Sequence, residues 1–221
     1  MRVLVACEFS GVVRRAFRAM GHDAWSCDLL PAEDGDEHHI QGDAIEAAYG
    51  QPWDLMISHA ECTFLTNAGV KHLYHGGRKE NGPDLDRWQK MEAGAAFYNK
   101  LLAAPIEKIA AENPVMHGYA QKLVGGKATQ YVQPWWFGEP FFKATGLRLK
   151  NLAKLVATNK LTPPRPGTSE HKRWSKIHRM PPGPDRWKER SRTFEGIAKA
   201  MAEQWGSLPH PPLSHGLRGI E

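Results

Sequence analysis

The chain is poor in cysteine and has no long apolar run. Three cysteines, Cys7, Cys27 and Cys62, stand among 221 residues. An odd number of this size argues against a disulfide framework and for a reducing compartment. There is no Cys-x-x-Cys pair, and His59, His72 and His75 fit no compact zinc spacing, so no metal is expected. A Gly-x-x-x-x-Gly-Lys phosphate loop is also missing. No apolar stretch approaches the roughly 18 residues that span a bilayer. The opening run Met1-Arg2-Val3-Leu4-Val5-Ala6 is too short for a signal peptide and reads as a first strand. No membrane partner is expected, and the expected location is the cytoplasm.

What remains is the composition of an ordinary globular protein, with 41% hydrophobic and 24% charged residues. The length suits one good core or two small domains. The net charge of +5 is unevenly spread: residues 151–192 carry eleven Lys/Arg against three Asp/Glu, which leaves the remainder slightly acidic. A near-neutral body with a basic appendage is the electrostatic footprint of a nucleic-acid binder. A merely solvated basic surface would look the same.

Strand and helix patterns alternate over the first 150 or so residues, an order that argues for a parallel α/β sheet. Strands are expected at Val3–Cys7, Ala24–Cys27, Asp54–Ser58, Glu107–Ala111 and Thr129–Val132, with a further one over Leu147–Leu149. Helices are expected from Gly11 to Met20, with Ser10 as N-cap and Gly21 as stop, from Leu85 to Ala104, from His117 to Val124 and from Phe194 to Trp205. Leu29 to Gly42 reads as an acidic loop, Asp43 as the start of a turn or short helix, and His59 to Pro83 as a polar loop. Pro163 to Trp187, rich in proline, reads as loop-rich and weakly structured, with Trp174 and Trp187 pinning it. The tail from Pro209 reads as mobile.

Several expected strands end in residues able to do chemistry, and in open α/β sheets ligands bind just past the carboxyl ends of strands. The first strand leads into Glu8-Phe9-Ser10-Gly11, a turn before a helix where backbone amides can approach a cofactor; a simple tight turn is the alternative. Asp28, at the second strand end, suits a ribose diol. Asp43 suits an adenine amino group, and either acid also suits a helix cap. After Asp54–Ser58 comes His59-Ala60-Glu61-Cys62-Thr63. A thiolate nucleophile there needs a cation or helix N-terminus, whereas the carboxylate of Glu61 raises a thiol's pKa; a buried inert cysteine is the alternative. Glu112-Asn113-Pro114 places an acid and an amide at another strand end, where a carboxyl group can protonate a ring nitrogen.

With these residues assembled, the chain resembles the DNA cytosine-C5 methyltransferases, and most closely their small phage- and prophage-encoded forms, from Val3 to about Gly206. The resemblance implies an α/β, Rossmann-like S-adenosylmethionine-dependent methyltransferase fold, a mostly parallel sheet flanked by helices, with a very small basic recognition region. Residues 1–149 would be the catalytic domain, 150–190 the reduced DNA-contacting region, 191–208 a returning C-terminal helix and 209–221 a mobile tail. The implied catalytic residues are Cys62, Glu112, Asn113 and Lys143. Those implied to hold S-adenosylmethionine are Glu8, Phe9, Ser10, Gly11, Asp28, Asp43, Glu61 and Thr193. Phosphate contacts would come from Lys172, Arg173, Lys176, Arg186, Lys188, Arg190 and Arg192. DNA is the implied partner, the chain is expected to be a monomer, and the implied location is the cytoplasm of a bacterial host.

The chain lacks an Asp-Pro-Pro-Tyr or Ser-Pro-Pro-Tyr motif, which argues against methylation of an amino group. It departs from the family in three places. Ala60-Glu61 stands where a proline precedes the nucleophile. Lys143 and Thr145 replace a pair of arginines, and a lysine is a point charge, not a bidentate fork. The segment between Leu149 and Arg190, of about 40 residues, replaces a large recognition domain. Two other readings stay open: a relative that binds DNA or cofactor without turnover, and an enzyme acting on free pyrimidine nucleotides.

Overall fold

A computed structural model of the chain describes residues 1–184 and 186–207. The segment 209–221, read as a mobile tail, lies outside the described residues. Seven strands form one sheet: β1 (Arg2–Ala6), β2 (Asp23–Asp28), β3 (His39–Gln41), β4 (Leu55–Ser58), β5 (Lys108–Pro114), β6 (Gln130–Val132) and β7 (Thr145–Lys150). Their order is β3-β2-β1-β4-β5-β7-β6. Strands β1 to β5 run parallel, while β7 is antiparallel to both β5 and β6. The order reverses between β1 and β4, which makes their carboxyl ends the switch point where such sheets take ligands. This is the Rossmann-like methyltransferase fold that the resemblance implies.

Alternation along the strands sorts side chains onto two helical layers. Leu4, Met56 and Ile109 face helices α2 (Ala44–Gly50), α3 (Leu85–Leu102) and α4 (Gly118–Leu123), where they pack with Met91, Tyr98 and Leu101. Val3, Val5, Leu55, Ile57 and Ala110 face α1 (Val12–Ala19) and the last helix, which begins at Glu195, packing with Phe17, Met201 and Trp205. Covered on both faces, the central strands are continuous apolar runs, as parallel strands must be.

Four expectations are corrected. Ser10 does not cap α1: the cap is Gly11, in the left-handed conformation at φ 68°, and no side chain of the cap residue bonds the helix. The carboxyl of Glu8 takes that part, accepting from the Val13 and Arg14 amides at 2.7 and 3.2 Å. The acidic loop Leu29–Gly42 contains β3, paired through Ser26↔His39 to Asp28↔Gln41. β5 does not stop at Ala111; Glu112, Asn113 and Pro114 stay in the sheet because they pair with Leu147, Gly146 and Thr145. Finally, the proline-rich stretch and the residues just after it carry short helices, α5 (Ser169–Trp174), α6 (Lys176–Arg179) and α7 (Arg186–Ser191), before α8 (Glu195–Gly206). Thr168 caps α5 by accepting from the His171 amide at 3.1 Å. Trp174, 6% exposed, buries itself against Phe142 with ring centroids 5.3 Å apart.

Candidate active site

Two groups of residues gather at the carboxyl ends of the central strands. The first surrounds the β1–α1 turn. Cys7 follows β1 in the left-handed region at φ 60°, an uncommon conformation for a residue with a side chain. Burial, and then the charges of Asp28, Cys27 and Asp43, push its thiol up to about 12. Those influences place both predicted cofactor carboxylates beside the end of β1. Asp28 accepts from the Leu30 amide at 3.0 Å, and Asp43 caps α2 through the Ile45 amide at 2.6 Å. In each case the bond is made by one carboxyl oxygen, Oδ1, so the cap and the ligand readings of these acids are compatible.

Glu8 is 4% exposed. Burial raises its pKa, opposed by His59 and by the two helix amides it accepts from. Its carboxyl therefore builds the turn from inside. Ser10, also 4% exposed, donates to Glu8 at 3.5 Å. Phe9 packs on Trp187 with centroids 5.7 Å apart. A Cβ on Gly11 would collide with the guanidinium of Arg14 and the carboxyl of Asp34. Close approach at this glycine is thus made by the chain's own residues. Arg14 is fully buried; it donates to Ser26 Oγ at 2.7 Å and to Asp34. Burial works against the Asp34 charge, yet the hydrogen bonds from Arg14 and Arg15 outweigh it and hold the carboxyl at about 2. This network fastens residues 29–38 over the turn, together with the Glu33 amide, which donates to the Phe9 carbonyl at 2.9 Å.

The second group forms a cleft lined by His59, Glu112, Lys143, Thr145, Thr193 and Phe194. The register sets Ser58 beside Ala111, so the next residues, His59 and Glu112, lie side by side on one face. Their closest atoms, His59 Nδ1 and Glu112 Oε2, are 3.3 Å apart. Lys143, just before β7, donates from Nζ to the Arg192 carbonyl at 3.1 Å and lies over the Phe194 ring at 5.7 Å. Burial pulls the Lys143 ammonium down, opposed by Glu112 and Cys62 and reinforced by Arg190. Burial, and next the charge of Glu112, push the Cys62 thiol up to about 11; Lys143 pulls it back, and Glu61 adds a smaller upward push. Three of the four predicted catalytic residues therefore influence one another electrostatically: Glu112 on β5 and Lys143 ahead of β7 line the cleft, and Cys62 lies in the loop after β4. Chemically, the group combines a proton on sulfur, a carboxylate able to accept it, and one cation whose charge acts on both.

Asn113 does not join them. Alternation turns it to the α3/α4 face, where it is 3% exposed and lines a separate cavity with Tyr98, Gln121, Tyr131 and Arg148. Neither amide atom of Asn113 has a hydrogen-bond partner, so it makes no bond to Glu112. Thr193 lies in the Glu112–Lys143 cleft, and Glu61 is exposed.

The predicted phosphate contacts divide. Lys172 and Arg173 on α5 and Lys176 on α6 are exposed. Arg186 donates to the Met180 carbonyl at 3.0 Å, and Lys188 lies on the same α7. Arg190, also on α7, acts on Lys143 through its charge. Arg192 is spent on an ion pair with Glu33 at 2.7 Å, tying this segment to the loop over the β1–α1 turn.

Two contributors escape sequence reasoning. The sequence offers His59 only as a metal ligand, although it is the first residue past a strand and shares its face with Glu112. Arg14 gives no signal, since an arginine on a short helix reads as exposed. Among the described residues, no three His, Cys, Asp or Glu are grouped to hold a metal ion. No helix of the described residues is long and apolar enough to cross a membrane.

No family model matches the chain, and no curated protein matches it. Among solved structures, it is similar to one described as a candidate DNA modification methyltransferase encoded within an E. coli prophage. The two share 15% identity at a TM-score of 0.42, over 67% of this chain and 46% of that one. The chain thus spans about half the length of that structure.

Proposed function

We propose that the protein transfers a methyl group from S-adenosylmethionine to C5 of cytosine in DNA, through a covalent bond between Cys62 and C6. The observation that carries this reading is the cleft at the strand ends where Glu112 and Lys143 stand together, with Cys62 in the loop after β4 under the charge of both. The Rossmann-like fold and the Asp28/Asp43 pair at the carboxyl ends of β2 and β3 support the cofactor. Asp28 and Asp43 would hold its ribose and adenine, with Phe9 beside them. When bound, it supplies an electrophilic methyl group at the end of the sheet.

The chain's own residues supply the rest. Cytosine leaves the stack, because C6 is out of reach within the duplex. Glu112 takes the proton of Cys62 as the sulfur bonds to C6. The electron pair of the C5–C6 double bond moves towards N3, which takes a proton from Glu112 and leaves C5 nucleophilic. After C5 is methylated, water removes the C5 proton, the S–C6 bond breaks, and the N3 proton returns through Glu112 to the Cys62 sulfur. The cluster suits this order. Once Glu112 is protonated it no longer opposes the thiolate, while Lys143 still favours it, so ionising Cys62 and protonating Glu112 assist one another. Lys172, Arg173 and Lys176 would contact phosphates, which positions DNA without reading its sequence.

The test is incubation with labelled S-adenosylmethionine and unmodified DNA, followed by digestion to nucleosides. Label is expected in 5-methylcytosine and is expected to be lost in Cys62→Ala. Cofactor binding with no label in any base would refute the reading and favour a relative that binds without turnover.

A further inference from the structure

We infer that His59 is a positioning residue for Glu112, fixing which carboxyl oxygen meets the substrate. The inference rests on the reading of Glu112 as the proton donor. His59 is placed by the sheet itself: its amide donates to the Ala6 carbonyl at 2.9 Å, extending the β1–β4 pairing by one residue. Its side chain is 8% exposed and that of Glu112 14%, so water competes little for their contact. With the ring proton on Nδ1, His59 donates to Oε2 at 3.3 Å. Oε1 is then left to receive the Cys62 proton and carry it to the base in the cleft. When that proton passes to the base, Glu112 becomes a carboxylate and the same N–H donates to a charged acceptor. Charge-assisted bonds are roughly twice as strong as neutral ones, so the contact favours release of that proton to the base, a step inside the bound complex, and shows in kcat more than in KM.

The far side of the ring fits the same role. Nε2 is buried and has no hydrogen-bond partner, while the buried carboxyl of Glu8 is close enough to interact electrostatically with the ring. That asymmetry gives the ring one bonded edge, towards Glu112. It also links the acceptor cleft to the carboxyl that caps α1 beside the cofactor turn.

The experiment compares methyl transfer to DNA by wild type, His59→Ala, His59→Asn and His59→Gln, with thermal melts of all four. Asn places its amide nitrogen near Nδ1, and Gln places it near Nε2. We expect His59→Ala to lower kcat by about ten- to a hundredfold, with KM for both substrates changed by less than about twofold. His59→Asn should recover most of that loss and His59→Gln little of it, at matching melting temperatures. A wild-type protein that methylates no base would defeat the proposed function, and this role with it. An active wild type whose His59→Ala variant keeps its kcat, or whose Gln variant equals or exceeds the Asn variant, would overturn the role of His59 alone.

Discussion

Replacing Glu112 by Gln should activate the Cys62 thiol while abolishing methyl transfer, and the opposed signs are what make the experiment informative. The Cys62 pKa of about 11, against an ordinary 9.0, has burial as its largest cause and the Glu112 charge as its second. At pH 8 such a thiol is ionised to about one part in a thousand. A neighbouring carboxylate is worth on the order of one pKa unit, or about 1.4 kcal/mol. Gln keeps the shape and removes the charge, so the midpoint of Cys62 alkylation against pH should fall by about one unit. At fixed pH the gain in rate is smaller. About tenfold more thiolate is offset by its lower nucleophilicity, which leaves roughly a three- to fourfold increase. Lys143→Met should move the midpoint the other way, since the ammonium favours the thiolate. The assay is iodoacetamide labelling across pH, read by peptide mass spectrometry so that Cys7 and Cys27 serve as internal controls. Those thiols, pushed up to about 12 and about 11 chiefly by burial, should not respond. A Cys62 midpoint unchanged or raised in Glu112→Gln would refute the claim that these groups share a site.

Four further outcomes are expected. Gly196→Ala should destabilise by about 1–3 kcal/mol in urea titration, because a Cβ there would collide with the Phe137 carbonyl, although alanine favours a helix over glycine by about 1 kcal/mol. Arg14→Met should cost about 1–3 kcal/mol by the same measurement, since it leaves the buried Ser26 hydroxyl and the Asp34 carboxylate without their donor. The associated pH dependence follows from Asp34, whose folded pKa of about 2 lies below its ordinary 3.8: its contribution is complete above 3.8 and disappears as pH falls through about 2, so Asp34→Asn should flatten the acid limb of stability. Finally, Arg173→Ala with Lys176→Ala should lower the slope of log affinity for DNA against log salt by about 0.9 for each phosphate no longer neutralised; an unchanged slope would remove these residues from the interface.

The central strands and the two carboxyl-bearing ends are legible in the sequence because their signals are local. Val3 to Ala6 and Leu55 to Ser58 are buried on both faces and therefore read as unbroken apolar runs. The β3 strand is not legible: His39–Gln41 is a three-residue edge strand, and only its pairing with β2 defines it. The cap of α1 escapes the local rule, which looks at Ser10, whereas the acceptor is Glu8, reached through a glycine with positive φ. The short helices around the proline-rich stretch escape composition because α5 is held by the burial of Trp174, a tertiary contact. In the site, the grouping of Cys62 with Glu112 follows from adjacent strand ends. The departure of Asn113 to the other face follows from two-residue alternation along β5, a signal present in the sequence once its pairing with β7 is known.

The missing proline before Cys62 is best weighed against what holds the loop. A proline there would restrict φ and so shape the backbone ahead of the nucleophile. In this chain the same segment is tethered at both ends. The His59 amide bonds the Ala6 carbonyl at 2.9 Å, and Ala60 is 4% exposed, so the entry is fixed by β1 and by burial. On the far side, the Cys62 carbonyl accepts from the Leu65 and Thr66 amides at 3.0 and 3.2 Å, closing a turn on Cys62 itself. Leu65 is fully buried, and its carbonyl accepts from the His117 amide at 3.1 Å, while Asn67 bonds Val115 at 3.0 Å. His117 completes the clamp: Nδ1 accepts from the Ala120 amide at 3.2 Å, which leaves Nε2–H to donate to the Phe64 carbonyl at 3.1 Å. Burial lowers the pKa of this imidazole, favouring the neutral form that both bonds require. The loop is thus shaped by long-range hydrogen bonds where a proline would act locally. The conformational objection to Cys62 as nucleophile therefore loses its force, and the electrostatic one, a thiol held near 11 beside Glu112, becomes the question that the alkylation experiment answers.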